Sequence, residues 1–140
     1  MSVNAILQPL VAWALLALVV SMRLAWLRVR DFKTRKLNPQ AYAIRDGRTK
    51  LSDPAERTAD HYQNQFEMPV IFVAACLIIS VANLTDGLYL VLAWAYVGLR
   101  LAHSAVHLSY NRVYHRFLLF VASFVALALL VLRLAYQLFI

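Results

Sequence analysis

Glu67 and Arg100 are ionisable side chains lying within or at the edge of apolar stretches long enough to enter a bilayer. Charge in such a place is costly, and is retained where it pairs, relays protons or binds a ligand. Upstream of Glu67 stand Glu56, Arg57 and Asn64; downstream of Arg100 stand His103, His107, Arg112 and Arg116. On a helix of 3.6 residues per turn, Glu56, Asp60, Gln63 and Glu67 follow steps of four, three and four, with Asn64 at the edge of their face. Arg100, His103, Ser104, His107 and Asn111 step by three or four and share a face too. Two polar stripes entering an apolar region from one side predict a polar cavity between helices. A buried Glu67–Arg100 ion pair that holds the bundle together would account for those two residues, but not for the stripes.

The elements that must position these groups follow from composition. With 62% hydrophobic and 15% charged residues in 140, the chain is too apolar for an ordinary soluble domain. Four apolar runs, Ile6 to Met22, Met68 to Leu84, Gly87 to Leu99 and Phe117 to Leu132, predict an all-α integral membrane four-helix bundle, left-handed and antiparallel. The spans are expected at about 6–27, 66–84, 87–109 and 116–137, in a single domain, with the main connection at about 28–53. The third run is short, but Arg100 and His103 can face the bundle interior while the helix continues towards Tyr110. The first run has no basic residue before it and no small-residue cleavage site after it, so it reads as a retained span, not a signal peptide.

Ten of the 14 Lys and Arg residues fall between Arg23 and Arg57, and none in the connection from Asn83 to Gly87. The first connection is therefore expected in the cytoplasm together with 111–116, and both termini on the other side. The net charge of +7 is interleaved with boundary aromatics such as Trp26 and Phe32, the pattern of a lipid headgroup anchor, and no nucleic-acid partner is expected. Cys76 lies alone in mid-span and reads as core packing. Asn38-Pro39, Asp46-Gly47 and Asp53-Pro54 mark the first connection as a folded loop. Asp53 is expected to cap the second helix, with Pro54 at its first position and Glu56 completing a capping box.

Glu56-Arg57, then Asn64 and Glu67 with Pro69 following, resembles the second-helix signature of the MAPEG family, the membrane-associated proteins in eicosanoid and glutathione metabolism. Arg100-Leu-Ala-His103 with Arg112 and Arg116 is similar to the corresponding third-helix segment of prostaglandin E synthase and microsomal glutathione transferase, and Arg30 with Asn38-Pro39 agrees. The resemblance implies a homotrimer of four-helix bundles that binds glutathione between subunits near the cytoplasmic side and takes a hydrophobic small-molecule substrate from the membrane lipids. It places Arg30, Asn64, Glu67 and His103 at positions that contact or support glutathione, and gives the thiolate to Arg116 as the catalytic residue; His107 and Arg112 are expected to join the glutathione contacts, with an interfacial or intersubunit salt bridge the alternative for Arg112 and Arg57. Glu56, Arg57, Asp60 and Arg100 would form the supporting polar network. Lowering a thiol from pKa about 8.5 to about 6.5 needs roughly 2.7 kcal/mol of preferential thiolate stabilisation, within reach of a partly desolvated arginine.

Three positions depart from the family pattern. Asp60 and Gln63 stand where arginines often meet the glutathione carboxylates, and His107 stands at a tyrosine position. Asp60 would repel a carboxylate, whereas His107 would act either as a hydrogen-bond donor to ligand or as a structural histidine bonded across helices. The function implied is thus a glutathione-dependent transferase or peroxidase; the rival is a non-catalytic lipid-binding or scaffolding protein of the same fold. His103 and His107 at i, i+4 with Glu67 give only a weak metal signal, and no metal is expected; haem binding would be a third class. His61 and His115 are expected at the interface or in the loop without a role, and Tyr110 and Tyr114 as interface anchors.

Overall fold

The computed structural model describes residues 3–38, 40 and 51–140, so Pro39 and the Asp46-Gly47 turn signal lie outside the described residues. A 3-10 turn, Val3–Ile6, leads into α1, Leu7–Thr34; α2 is Asp53–Asn64, α3 Pro69–Val81, α4 Gly87–Leu108 and α5 Val113–Phe139. The described residues contain no strand. Among the described residues four helical stretches are long and apolar enough to cross a membrane: Asn4–Thr34, Asp53–Val81, Gly87–Leu108 and Val113–Phe139. The protein is accordingly an integral membrane protein whose described elements are all helical.

Two boundaries differ from the sequence expectation. α1 continues to Thr34, beyond the expected onset of the connection at 28. Its polar end is tied down by Asp31, whose buried carboxylate accepts the Ser52 amide at 2.7 Å. At the start of α2 the cap is Ser52, not Asp53, and Glu56 reaches back to the Leu51 amide at 3.0 Å. Only the returning half of the capping box forms: the Ser52 side chain makes no cap hydrogen bond, and the Asp31 clamp holds the chain just ahead of the helix instead.

The larger difference is a break in the second span. α2 ends at Asn64 and α3 begins at Pro69, which has no amide proton and whose ring crowds the carbonyl four residues earlier. Across the break the chain tightens, the Phe66 amide reaching only as far back as Gln63. Glu67 sits in this turn and is exposed, so the stripe from Glu56 does not run on as one helical face.

The core cluster joins α1, α3, α4 and α5 through Trp13, Phe72, Cys76, Ile79, Tyr96, Leu127 and Leu130. Cys76 is a fully buried free thiol within it. The α4–α5 hairpin is fastened at its far end by Asp86, which caps the Tyr89 amide at 2.9 Å and forms an ion pair with Arg133. Arg133 also lies over the Tyr89 ring, whose hydroxyl donates to Gln137.

Candidate functional site

α4 carries the buried polar face that the sequence places there. Arg100, His103, Ser104 and His107 are each no more than 3% exposed. They meet His61 of α2 and Gln65 at its C-terminal cap, both fully buried. His61 is therefore not an interface residue: it lies at the centre of the bundle's polar region. Its sequence signal is a step of four to Gln65, on a face of α2 other than the one that carries Glu56, Asp60 and Gln63.

Arg100 does not pair with Glu67. Its Nη2 donates to the Asn64 carbonyl at 2.7 Å, the oxygen released at the end of α2 by the break before Pro69. Nε of Arg100, Nδ1 of His103 and the Tyr96 hydroxyl are buried without a hydrogen-bond partner.

Arg116 stands one turn into α5, with its guanidinium held by two acceptors. Nη1 donates to His107 Nε2 and to Asn111 Oδ1, each at 3.1 Å. Asn111 presents that oxygen from a left-handed backbone, φ 49°, while its own amide returns to the Val106 carbonyl at 2.9 Å and closes α4. Asparagine is one of the few residues that adopt this conformation at modest cost. The α4–α5 turn and the placing of Arg116 are thus one local structure.

Further polar contacts bind the rings together. His107 Nδ1 lies 3.1 Å from His61 Nδ1, and His61 Nε2 lies 2.8 Å from Ser104 Oγ. Ser104 donates to the Arg100 carbonyl at 2.8 Å. Gln65 is oriented from α1, since Trp13 Nε1 donates to its Oε1 at 3.3 Å while its Nε2 donates to Ser104 at 3.1 Å. His61, His103 and His107 bring one possible ligand nitrogen each within 4.8 Å of the others. Arg100 and Arg116 adjoin these rings, so a cation would meet positive charge on two sides.

Asn64, His103 and Arg116 line one cavity of ≈ 230 Å³, with Val113, Phe117 and Phe120. Glu67 instead lines a hollow of ≈ 440 Å³ between α1 and α2, beside Arg28, Gln63, Leu24 and Phe66. Arg30 is exposed on α1 with its guanidinium over the Trp26 ring, 5.5 Å from the centroid. Arg112 is the exposed cap residue of α5. Glu56 and Arg57 are half-buried on α2, and Asp60 is exposed there. His115 meets the exposed Tyr110 hydroxyl at 3.0 Å, and Tyr114 is exposed as well. The chain thus brings Asn64, His103 and Arg116 to one cavity with His107 bonded to Arg116, and leaves Arg30, Glu67 and Arg112 outside it.

No curated protein and no solved structure gives a significant match to this chain. The family model for the MAPEG family matches residues 6–136. With four membrane-length helices and a match over nearly its whole length, the chain belongs to the MAPEG family.

Proposed function

We propose that this protein is a membrane-embedded glutathione-dependent transferase or peroxidase acting on hydrophobic electrophiles, with Arg116 stabilising the glutathione thiolate. The observation that carries the reading is the cavity in which one guanidinium, an amide and an imidazole face Val113, Phe117 and Phe120. The polar side suits a thiolate and part of a peptide, and the phenylalanine side suits an apolar electrophile arriving from lipid. In transfer, the thiolate sulfur forms a bond to the electrophilic carbon as the leaving group departs with its electron pair. In peroxide reduction, two glutathione thiols become one disulfide while the peroxide yields alcohol and water.

At ≈ 230 Å³ the cavity is smaller than a typical small-molecule site of roughly 300–1,000 Å³. It is half a site, and a second protomer of the expected homotrimer would supply the rest. Arg30, Glu67 and Arg112 would then reach a tripeptide across the subunit boundary. The basic first connection and the α4–α5 turn are placed on the cytoplasmic side in this reading.

A second reading, a lipid-binding or scaffolding protein without chemistry, draws support from Asp60, an exposed carboxylate where glutathione's own carboxylates need a cation. Calorimetry of glutathione binding to detergent-purified protein, with thiolate absorbance followed against pH, separates the two. Binding with a lowered thiol pKa that is lost in Arg116→Ala is expected; no binding at millimolar glutathione sinks the first reading.

A further inference from the structure

Hydrogen-bond chemistry gives the contacts behind Arg116 a single direction. A guanidinium only donates, so His107 Nε2, 3.1 Å from Arg116 Nη1, must be the unprotonated nitrogen of that ring. The His107 proton then resides on Nδ1 and donates to His61 Nδ1 at 3.1 Å. His61 is consequently protonated on Nε2, which donates to Ser104 Oγ at 2.8 Å, and the Ser104 hydroxyl in turn donates to the Arg100 carbonyl. The remaining lone pair of Ser104 takes Gln65 Nε2, whose orientation Trp13 has already fixed. A hydroxyl offers one donor and two acceptor sites, and all three are used here. In this direction the 3.0 Å contact between Gln65 Nε2 and His61 Nε2 carries no hydrogen bond, because both nitrogens donate to Ser104 Oγ.

We infer that Arg116, His107, His61 and Ser104 form a one-way hydrogen-bond chain running from the cavity into the bundle, in which His107 and His61 are positioning residues that hold the Arg116 guanidinium at the cavity. The chain spans α5, α4 and α2, and its inner members are no more than 3% exposed. Such enclosed networks fix side-chain geometry when every member is satisfied. Only the consequence for glutathione rests on the proposed function; the direction of the chain does not.

Two measurements test it. Nuclear magnetic resonance of 15N-histidine-labelled protein in lipid nanodiscs at neutral pH should find His107 neutral with its proton on Nδ1, and His61 neutral with its proton on Nε2. The opposite tautomers, or rings that exchange freely between them, overturn the chain whether or not glutathione binds. In the second, the thiolate fraction of bound glutathione is compared in His107→Phe and His107→Gln. Phenylalanine should lower the thiolate-to-thiol ratio about tenfold, the loss of one charge-assisted hydrogen bond, and glutamine, which keeps an acceptor, should recover most of it. Equal ratios in all three proteins overturn the positioning role. If the wild type binds no glutathione, the function proposed above fails and the tautomers alone decide the chain. Titration with Zn²⁺ alone is the remaining arm: stoichiometric uptake abolished by His61→Gln would replace the chain with a three-histidine metal site.

Discussion

The guanidinium of Arg100 caps the carbonyl of Asn64 at 2.7 Å, so a buried cation of α4 completes the broken end of α2. A helix that stops inside a bilayer leaves carbonyls that water cannot reach, and a neighbouring helix must meet them. The cap meets one of the carbonyls left at the end of α2 where the helix stops before Pro69. Arg100→Ala should therefore destabilise the bundle by at least roughly 1–3 kcal/mol, the penalty of one orphaned buried group, before lost packing is added. Thermal unfolding in detergent reads this, and an unchanged midpoint would show that Arg100 is dispensable to the break.

Asp31 makes the corresponding closure at the membrane boundary, holding the Ser52 amide from the last turn of α1. Asp31→Ala should cost roughly 1.5–3 kcal/mol, the range for a hydrogen bond to a charged group, and Asp31→Asn less. Hydrogen exchange at the Ser52 amide should quicken in proportion; unaltered protection there would contradict the clamp.

At the other end of the hairpin, Asp86 has two separable duties, the cap of Tyr89 and the ion pair with Arg133. Asp86→Asn keeps a capping oxygen and gives up the charge. Asp86→Ala should accordingly be less stable than Asp86→Asn by about 1 kcal/mol. A double-mutant cycle with Arg133→Ala should return a coupling of about 0.5–1 kcal/mol for the partly exposed pair.

Asp60 supplies a gain-of-function test of the glutathione reading. Replacing it by arginine removes a repulsion and adds an attraction for a ligand carboxylate at an exposed position, together worth about 1 kcal/mol. Calorimetry should show glutathione binding tightened about fivefold in Asp60→Arg, and equally tight binding in both proteins would place the carboxylates elsewhere.

Much of the scaffold was legible because bilayers impose length and polarity directly: three of the four apolar runs lie within membrane-length helices and the second overruns its helix only past Val81, while Arg100, His103, Ser104 and His107 of the third-span stripe are buried together and Asn111 falls in the turn beyond α4. The stripe on the second span was harder. Its periodicity assumes one continuous helix, and Pro69 ends that continuity before Glu67 can share the face. His61 went unrecognised for a related reason. A lone histidine among charged neighbours looks like surface, and only the packing of α2 against α4 shows which side of the helix turns inward. The hold on Arg116 depends on a positive φ at Asn111, a feature of tertiary folding that the residue type permits without announcing.

The buried polar face of α4 also bears on how the protein enters a membrane. Of the four membrane-length helices α4 is the least apolar, and it carries Arg100 well within its length. An arginine near the middle of an inserting helix costs about 2.5–3.5 kcal/mol on translocon scales. α5 is the most apolar of the four and follows after a short turn. The two are thus matched as a unit of biogenesis: α5 carries the hydrophobicity that α4 lacks, and a glycosylation-mapping assay should find α4 inserted far more completely with α5 attached than alone.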